Sequence, residues 1–173
     1  LRRKLILPRD VYLSLTNHLE AGDLERAEQI CRERETMLSR ITLAGLKQRA
    51  SGRAVAKEAM EETGQVEVAS LNSGVGVLST VAAIAPLMGL LGTVTGMIQV
   101  FRDVAGTTNP DIAILADGIW QALITTGAGL TVAIPFYVAY RYIENRIDRY
   151  GRELEEASLE LLTRMDAPSR GDA

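Results

Sequence analysis

The sequence predicts an all-α integral membrane protein whose long helices extend from the bilayer into the cytoplasm. Two observations lead to this class: no Asp, Glu, Lys or Arg occurs from residue 68 to 101 or from 118 to 140, runs of 34 and 23 residues. A bilayer core of about 30 Å needs about 20 apolar helical residues, so each run can cross it once. Two buried helices of a soluble bundle are the alternative, but such helices are usually amphipathic, whereas these runs are apolar all round.

The charged residues outside these runs predict the orientation. Residues 1–67 contain 12 Lys+Arg and residues 141–173 contain 6, whereas residues 102–117 contain only Arg102 against three Asp. Because cytoplasmic loops retain positive charge, both ends are expected inside and the loop outside. Three regions are predicted: a cytoplasmic helical region (1–67), a transmembrane hairpin (68–140), and a cytoplasmic helical extension and tail (141–173). Within the hairpin, the spans lie at about 77–101 and 118–140, and a periplasmic loop (102–117) joins them. The first run is longer than the hydrocarbon needs, so its start, 68–76, is expected to continue as helix into the cytoplasm.

The amino-terminal region predicts a small bundle of short helices. From residue 10 to 53, apolar and charged residues alternate at helical spacing. Gly22 followed by Asp23 indicates a helix end and a new N-cap. The side chains of Tyr12, His18 and Cys31 are expected to be packing or surface groups rather than a site.

The carboxyl-terminal extension carries a heptad seam. After Arg141, apolar residues recur at alternating steps of four and three, at Ile143, Ile147, Tyr150, Leu154, Ala157 and Leu161. We predict that the second span and this tail form one continuous helix. Its seam could pack against neighbouring subunits or the amino-terminal helices, and an ordinary amphipathic helix folded back on its own chain is equally compatible with the pattern.

Both spans separate small residues from bulky ones. Small residues form one stripe of the first span, at Ala82, Pro86, Gly89, Thr93 and Gly96, and of the second, at Ala122, Thr126, Gly129 and Ala133. Large residues form the other, at Ile84, Leu87, Leu91, Val94, Ile98 and Phe101 and at Trp120, Leu123, Leu130, Ile134 and Tyr137. Small faces in membranes mark where helices or a ligand approach closely, whereas the bulky sides suit lipid.

Polar atoms within the spans come from hydroxyls and amides. Thr93 and Thr126 could line a polar path, or each could bond to the carbonyl one turn earlier on its own helix. Neither span holds an ionisable group, although proton relays through membranes usually need one. A titrating acid would therefore have to come from a partner. Pro86 and Pro135 each free a carbonyl one turn back and favour a bend.

Other functional classes find little support in the composition. The chain has 19 Lys+Arg against 22 Asp+Glu and no basic block that would suggest nucleic acid as a partner. A single cysteine excludes an internal disulfide, and one histidine without a ligand cluster gives no metal site. With no nucleophile paired to a base and no phosphate loop, we expect neither an enzyme nor a cofactor.

Two motifs on these spans resemble a known family. Residues 85–97 read Ala-Pro-Leu-Met-Gly-Leu-Leu-Gly-Thr-Val-Thr-Gly-Met and residues 128–135 read Ala-Gly-Leu-Thr-Val-Ala-Ile-Pro. Over residues 70–145 the chain resembles the ExbB/TolQ branch of the MotA/TolQ/ExbB proton-channel family. The candidate residues for helix packing or bending are Pro86, Gly89, Gly92, Gly96, Gly129 and Pro135.

The resemblance also implies an assembly and a location. Family members have three membrane helices, so a first span is expected before this sequence. They form a homopentamer in the bacterial inner membrane around a single-span ExbD/TolR-like partner, whose Asp exchanges protons and is faced by threonines matching Thr93 and Thr126. A TonB-like or Tol envelope protein would receive the energy, and a non-conducting membrane scaffold is the alternative function.

Gln121 departs from the family pattern. The ExbB/TolQ branch commonly has Glu at this position, and Gln hydrogen-bonds but cannot carry a proton. Either the partner's Asp suffices, or this member conducts another ion or conducts poorly. Gln121 also lies about 140° from Thr126 around an ideal helix. The two would therefore face one path only if the helix bends or if Gln121 faces the adjacent subunit.

Overall fold

The computed structural model describes residues 6–105 and 112–166, and those ranges contain helices but no strand, which confirms the all-α class. Parts of the predicted loop and tail lie outside the described residues. The helices are α1 (Arg9–Glu20), α2 (Leu24–Glu33), α3 (Met37–Gln48), α4 (Arg53–Asn72), α5 (Gly76–Ala105) and α6 (Ile112–Met165), with a 3₁₀ turn at Arg49–Ser51. The chain divides into two compact units, residues 1–73 with 145–173 and residues 74–144.

The junction between α1 and α2 has the helix end and the new N-cap that the sequence predicts. Gly22 adopts a φ of 75°, a left-handed conformation that glycine reaches without a steric penalty. Its N–H donates to the carbonyl of Leu19 (3.1 Å), and the N–H of Asp23 donates to that of His18 (2.9 Å), which together form a Schellman motif. The Asp23 carboxylate then accepts from the N–H of Arg26 and caps α2.

The first unit is organised around one apolar core. All four amino-terminal helices and the end of α6 contribute buried side chains to it: Val11, Leu15, Leu19, Ala27, Ile30, Cys31, Met37, Leu38, Ile41, Ala56, Met60, Tyr150, Leu154, Ala157, Leu161, Leu162 and Met165. The predicted small bundle is therefore present. Cys31 lies in this core, the Tyr12 hydroxyl donates to Glu160, and His18 lies 3.7 Å from the Asp23 carboxylate.

The heptad seam packs inside its own chain. Helix α6 is continuous from Ile112 to Met165, so the predicted union of span and tail is confirmed. Seam residues Tyr150, Leu154 and Leu161 bury their side chains among those of α1 to α4. Of the alternatives that the pattern left open, the structure therefore shows packing against the amino-terminal helices of the same chain.

Two arginines hold the carboxyl end of α6. The Arg49 Nε donates to the carbonyl of Met165 (3.0 Å), and the Arg53 guanidinium pairs with Asp166 at 2.7 Å. Cations stabilise a helix at its carboxyl end because they satisfy free carbonyls and oppose the helix dipole.

The expectation that residues 68–76 continue as one helix is wrong. Helix α4 ends at Asn72, residues 73–75 form a turn, and α5 begins at Gly76. Ser73 bonds through its hydroxyl to the carbonyl of Ser70 (2.9 Å), and glycines at 74 and 76 lower the helix propensity on both sides of Val75. Absence of charge predicted the uninterrupted helix, but local backbone preference interrupts it.

Candidate functional site in the apolar hairpin

Helix α5 and residues 112–140 of α6 form an antiparallel pair, which we call the apolar hairpin. A Cβ built on Gly89 would lie 3.0 Å from the carbonyl oxygen of Thr125 and 3.1 Å from the Cα of Thr126. A Cβ on Gly129 would lie 2.7 Å from the carbonyl oxygen of Ala85 and 3.0 Å from the Cα of Gly89. The two backbones therefore touch at glycine, and the small stripes of the two helices face each other.

The close contact continues towards the connection between the helices. A Cβ on Gly92 would lie 2.6 Å from the Thr125 hydroxyl, and one on Gly96 would lie 3.4 Å from the Cβ of Ala122. One turn before Ala122, a Cβ on Gly118 would meet the Val100 side chain at 1.8 Å. Gly118 was not among the predicted packing residues, although its spacing of four from Ala122 continues the small stripe.

Thr126 joins the two helices of the hairpin by a hydrogen bond. Its Oγ1 donates to the carbonyl oxygen of Gly89 at 3.3 Å, a long distance for a hydroxyl donor. The side chain is half-buried. A weak bond to the facing helix leaves this hydroxyl easier to redirect than one bonded within its own turn.

Thr93 makes the local bond that the sequence left as an alternative. Its Oγ1 donates to the carbonyl of Leu90 at 2.7 Å, one turn back on the same helix. Thr125 does the same with the carbonyl of Ala122, also at 2.7 Å. The structure therefore gives Thr93 and Thr126 different partners: one hydroxyl stays on its own helix and the other crosses the hairpin.

Gln121 lies away from the contact between the helices. Its side chain is exposed, and its Nε2 donates to the Oδ2 of Asp117 at 3.0 Å. Ala122, the next residue, is buried against α5. Asp117 was not predicted as a site residue, and its spacing of one helical turn from Gln121 was the signal that could have identified it.

The remaining predicted residues also lie in this unit. Pro86 and Pro135 both lie inside continuous helices, Pro86 half-buried and Pro135 exposed. Across residues 6–105 and 112–166, no group of three or more His, Cys, Asp and Glu is arranged to hold a metal ion.

The outer sides of the hairpin expose the predicted bulky residues. Leu87 of α5 is 62% exposed and Leu123 of α6 is 63% exposed, and the side chains of the other large residues in both stripes are exposed as well. Within the described residues, two helices are long and apolar enough to cross a membrane. Aliphatic and aromatic side chains on an outer surface suit a lipid environment.

Comparisons with known proteins agree on one family. The MotA/TolQ/ExbB proton channel family matches residues 33–156. The chain is 39% identical over 129 residues to a putative biopolymer transport protein ExbB homolog of Methanothermobacter thermautotrophicus, covering 75% of this chain and 45% of that protein. It is 39% identical over 125 residues to a putative biopolymer transport protein ExbB-like 1 of Synechocystis, covering 70% and 49%.

A Tol protein is similar as well. The chain is 37% identical over 94 residues to the Tol-Pal system protein TolQ of Haemophilus influenzae, covering 52% of this chain and 41% of TolQ. The chain thus spans less than half the length of each of these three relatives.

Proposed function

The chain belongs to the MotA/TolQ/ExbB proton channel family, and from that premise we propose that it is a ring-forming subunit of a motor driven by the proton motive force. It assembles as a homopentamer in the bacterial inner membrane with both ends of the sequence in the cytoplasm. An ExbD/TolR-like partner with one span supplies the acid that binds and releases protons. Relatives named for biopolymer transport and for the Tol-Pal system suggest TonB-dependent uptake or Tol-type envelope processes as the output.

The observation that carries this proposal is the position of Thr126. Its hydroxyl lies at the contact between two apolar helices and bonds to a backbone carbonyl across that contact. A path lined by hydroxyls rather than by ionisable groups can guide a proton but cannot store it. A titrating acid on a partner helix, facing Thr93 and Thr126, would complete the path.

The energy available is sufficient for a mechanical step. One elementary charge that crosses about 100 mV releases about 2.3 kcal/mol. A hydrogen bond contributes about 1 kcal/mol net, so one or two protons match the remaking of a few such bonds between the ring and the partner helix. Neutralisation of the partner's acid would favour rotation past apolar surface, and its ionisation would favour the hydroxyl-lined position.

A non-conducting membrane scaffold is the second candidate, and two observations favour it. The small stripes pack against each other within one chain, and the Thr93 hydroxyl is bonded to its own helix. In a scaffold these features would serve packing alone, with Thr126 as a clamp between the helices.

Proton flux distinguishes the two functions. The full-length protein, reconstituted into vesicles with an ExbD/TolR-like partner, should carry protons under an imposed potential, and a change of the partner's Asp to Asn should abolish the flux. A scaffold would give no flux that depends on that Asp.

Thr126→Val tests the path within this chain. Valine keeps the shape of threonine but removes the hydroxyl, so the loss of about 1 kcal/mol from a hydrogen bond predicts a flux about fivefold lower with the pentamer intact. Thr131→Val is the matched control, because the Thr131 hydroxyl is exposed and bonded to the carbonyl of Gly127 on its own helix. Wild-type flux in Thr126→Val would reject the role of this hydroxyl.

A further inference from the structure

Asp117 occupies the boundary between the connection and the second uncharged run. It belongs to α6, its side chain is exposed, and the run of 23 residues without charge begins directly after it. The Oδ2 of Asp117 accepts a hydrogen bond of 3.0 Å from the Nε2 of Gln121, which lies inside that run. A carboxylate at the mouth of the span is thus tied to a polar side chain one turn deeper.

The polar stripe continues for one more turn. Asp117, Gln121 and Thr125 follow one another at steps of four, and all three are exposed. They extend over eight residues, or about 12 Å along the helix. The Thr125 hydroxyl lies against Gly92 of α5, and the next residue, Thr126, makes the bond that crosses the hairpin. The polar stripe therefore runs from the connection between α5 and α6 to the contact between these two helices at Thr126.

Gln121 suits a carboxyl group that changes its protonation state. An ionised carboxylate only accepts hydrogen bonds, whereas a protonated one also donates. The amide of glutamine offers N–H donors to the first form and a carbonyl acceptor to the second. Gln121 can therefore stay bonded to Asp117 in both states after a rotation of its amide, whereas a leucine could partner neither form.

We propose that Asp117, held by Gln121, is the group that collects protons at the outer mouth of the path. A hydronium ion on the outer side gives its proton to the Asp117 carboxylate and becomes water. The resulting carboxylic acid then gives that proton to a water molecule beside Gln121 and Thr125, and the carboxylate is restored. This inference rests on the proposed function, and it adds an entry site in this chain to the acid of the partner.

Charged neighbours must be considered in any pH dependence at this position. Helix α5 packs against this turn through Val100 and Gly118, and its described charged groups near that end are Arg102 and Asp103. Asp103 carries the same charge as Asp117 but lies on the other helix, outside the polar stripe. Asp103→Asn is therefore the matched control for Asp117→Asn.

The test measures proton flux through the full-length complex with its partner, in vesicles, as the outer pH is varied. Asparagine retains an oxygen that can accept the bond from Gln121 but cannot take up a proton, so Asp117→Asn should assemble normally. Its flux should fall by about tenfold, the lower end of the gain that a charged cleft gives to the capture of an ion. Asp117→Glu should retain most of the flux, and Asp103→Asn should remain at the wild-type level.

A second variant returns a carboxylate to the stripe. Adding Gln121→Glu to Asp117→Asn places the carboxylate one turn deeper and should restore flux with a changed midpoint of its dependence on outer pH. Gln121→Leu should shift that midpoint while leaving the pentamer intact. A role in folding alone would predict neither the recovery nor the shift.

The possible outcomes separate this inference from the proposed function. If the wild-type complex conducts and Asp117→Asn conducts equally well over the whole pH range, the entry site is rejected and the proposed function stands. If the wild-type complex carries no protons, both are rejected. If replacing outer protons by sodium sustains the current in the wild type, Asp117 does not collect protons and the inference fails.

Discussion

At the scale of single residues, the glycines of the hairpin differ sharply in their surroundings. A Cβ on Gly129 would lie 2.7 Å from the carbonyl oxygen of Ala85, a backbone atom that cannot move without shifting the helix. A Cβ on Gly127, two residues away, would lie more than 4 Å from every atom of the facing helix. Two glycines of one helix thus predict opposite responses to the same substitution.

Gly129→Ala should destabilise the hairpin, whereas Gly127→Ala should not. Overpacking typically costs about 1–3 kcal/mol. The measurement is unfolding of the full-length protein in mixed micelles as the fraction of denaturing detergent rises. Gly127→Ala should match or exceed the wild type, since alanine favours helix. Equal stability of the two variants would show that α5 and α6 do not approach at Gly129 as closely as the structure has them.

Cys31 predicts a pH effect in the core of the first unit. Burial, and secondarily the nearby Glu28, raises the pKa of its thiol from 9.0 to about 12. The folded protein therefore keeps this proton to about pH 12, whereas the unfolded chain loses it near pH 9. Because the unfolded state then binds fewer protons, stability falls as pH rises through this window, by at most about 1.4 kcal/mol per pH unit.

The comparison of wild type with Cys31→Ala measures that effect. Burial and the nearby Glu160 also raise the pKa of Tyr12. Because Tyr12 is present in both proteins, the difference between their unfolding free energies isolates the contribution of the Cys31 thiol. The difference in unfolding free energy between the wild type and Cys31→Ala should become steadily smaller from pH 9 upwards. A gap independent of pH would mean that the thiol is ionised equally in the folded and unfolded states.

At the scale of elements, α6 shows what the sequence can and cannot predict. The steps of four and three from Ile143 to Leu161 predicted a continuous helix with an apolar seam, because periodicity is a local property. The pattern did not predict which helices pack against the seam, because it specifies a face of the helix but not what covers that face. The turn at 73–75 was missed because absence of charge outweighed the weaker signal of two glycines.

The same limit applies to the candidate site. Residue size along each span predicted the small and bulky stripes, and the exposed bulky residues agree with it. The Thr126 bond to Gly89 depends on the relative rotation of two helices, which no single span encodes. The spacing of four residues permits the bond between Gln121 and Asp117, but the site was predicted from the uncharged run, and Asp117 lies just outside it.

Leu161→Ala should loosen the first unit through the end of α6. Leu161 is fully buried, and removal of such a side chain typically costs about 2–5 kcal/mol. Leu159, two residues earlier on the same helix, is 41% exposed, so Leu159→Ala should change stability by less than about 0.5 kcal/mol. Hydrogen exchange of α1 to α4 in the full-length protein measures the effect of both variants. Unchanged protection in Leu161→Ala would show that the seam packs against something other than these helices.

At the scale of the whole molecule, the distribution of charge predicts how the protein lies in the membrane. Lys and Arg number 12 in residues 1–67 and 6 in residues 141–173, against one in residues 102–117. Because positive charge is retained in the cytoplasm, we predict that both ends lie inside and the connection outside. The entry site proposed at Asp117 requires the same orientation, because protons driven inwards must enter from the outer side.

Cysteine labelling in intact cells tests this orientation. Native Cys31 is 3% exposed, and burial raises its pKa, so it should react little with a maleimide that cannot cross membranes while the protein is folded. Thr107→Cys in the predicted loop should then label in intact cells, whereas Ser51→Cys, exposed in the 3₁₀ turn, should label only after permeabilisation. The reverse pattern would invert the topology and remove Asp117 from the proton-entry side. Labelling of both positions in intact cells would contradict the assignment of residues 77–101 to a membrane span.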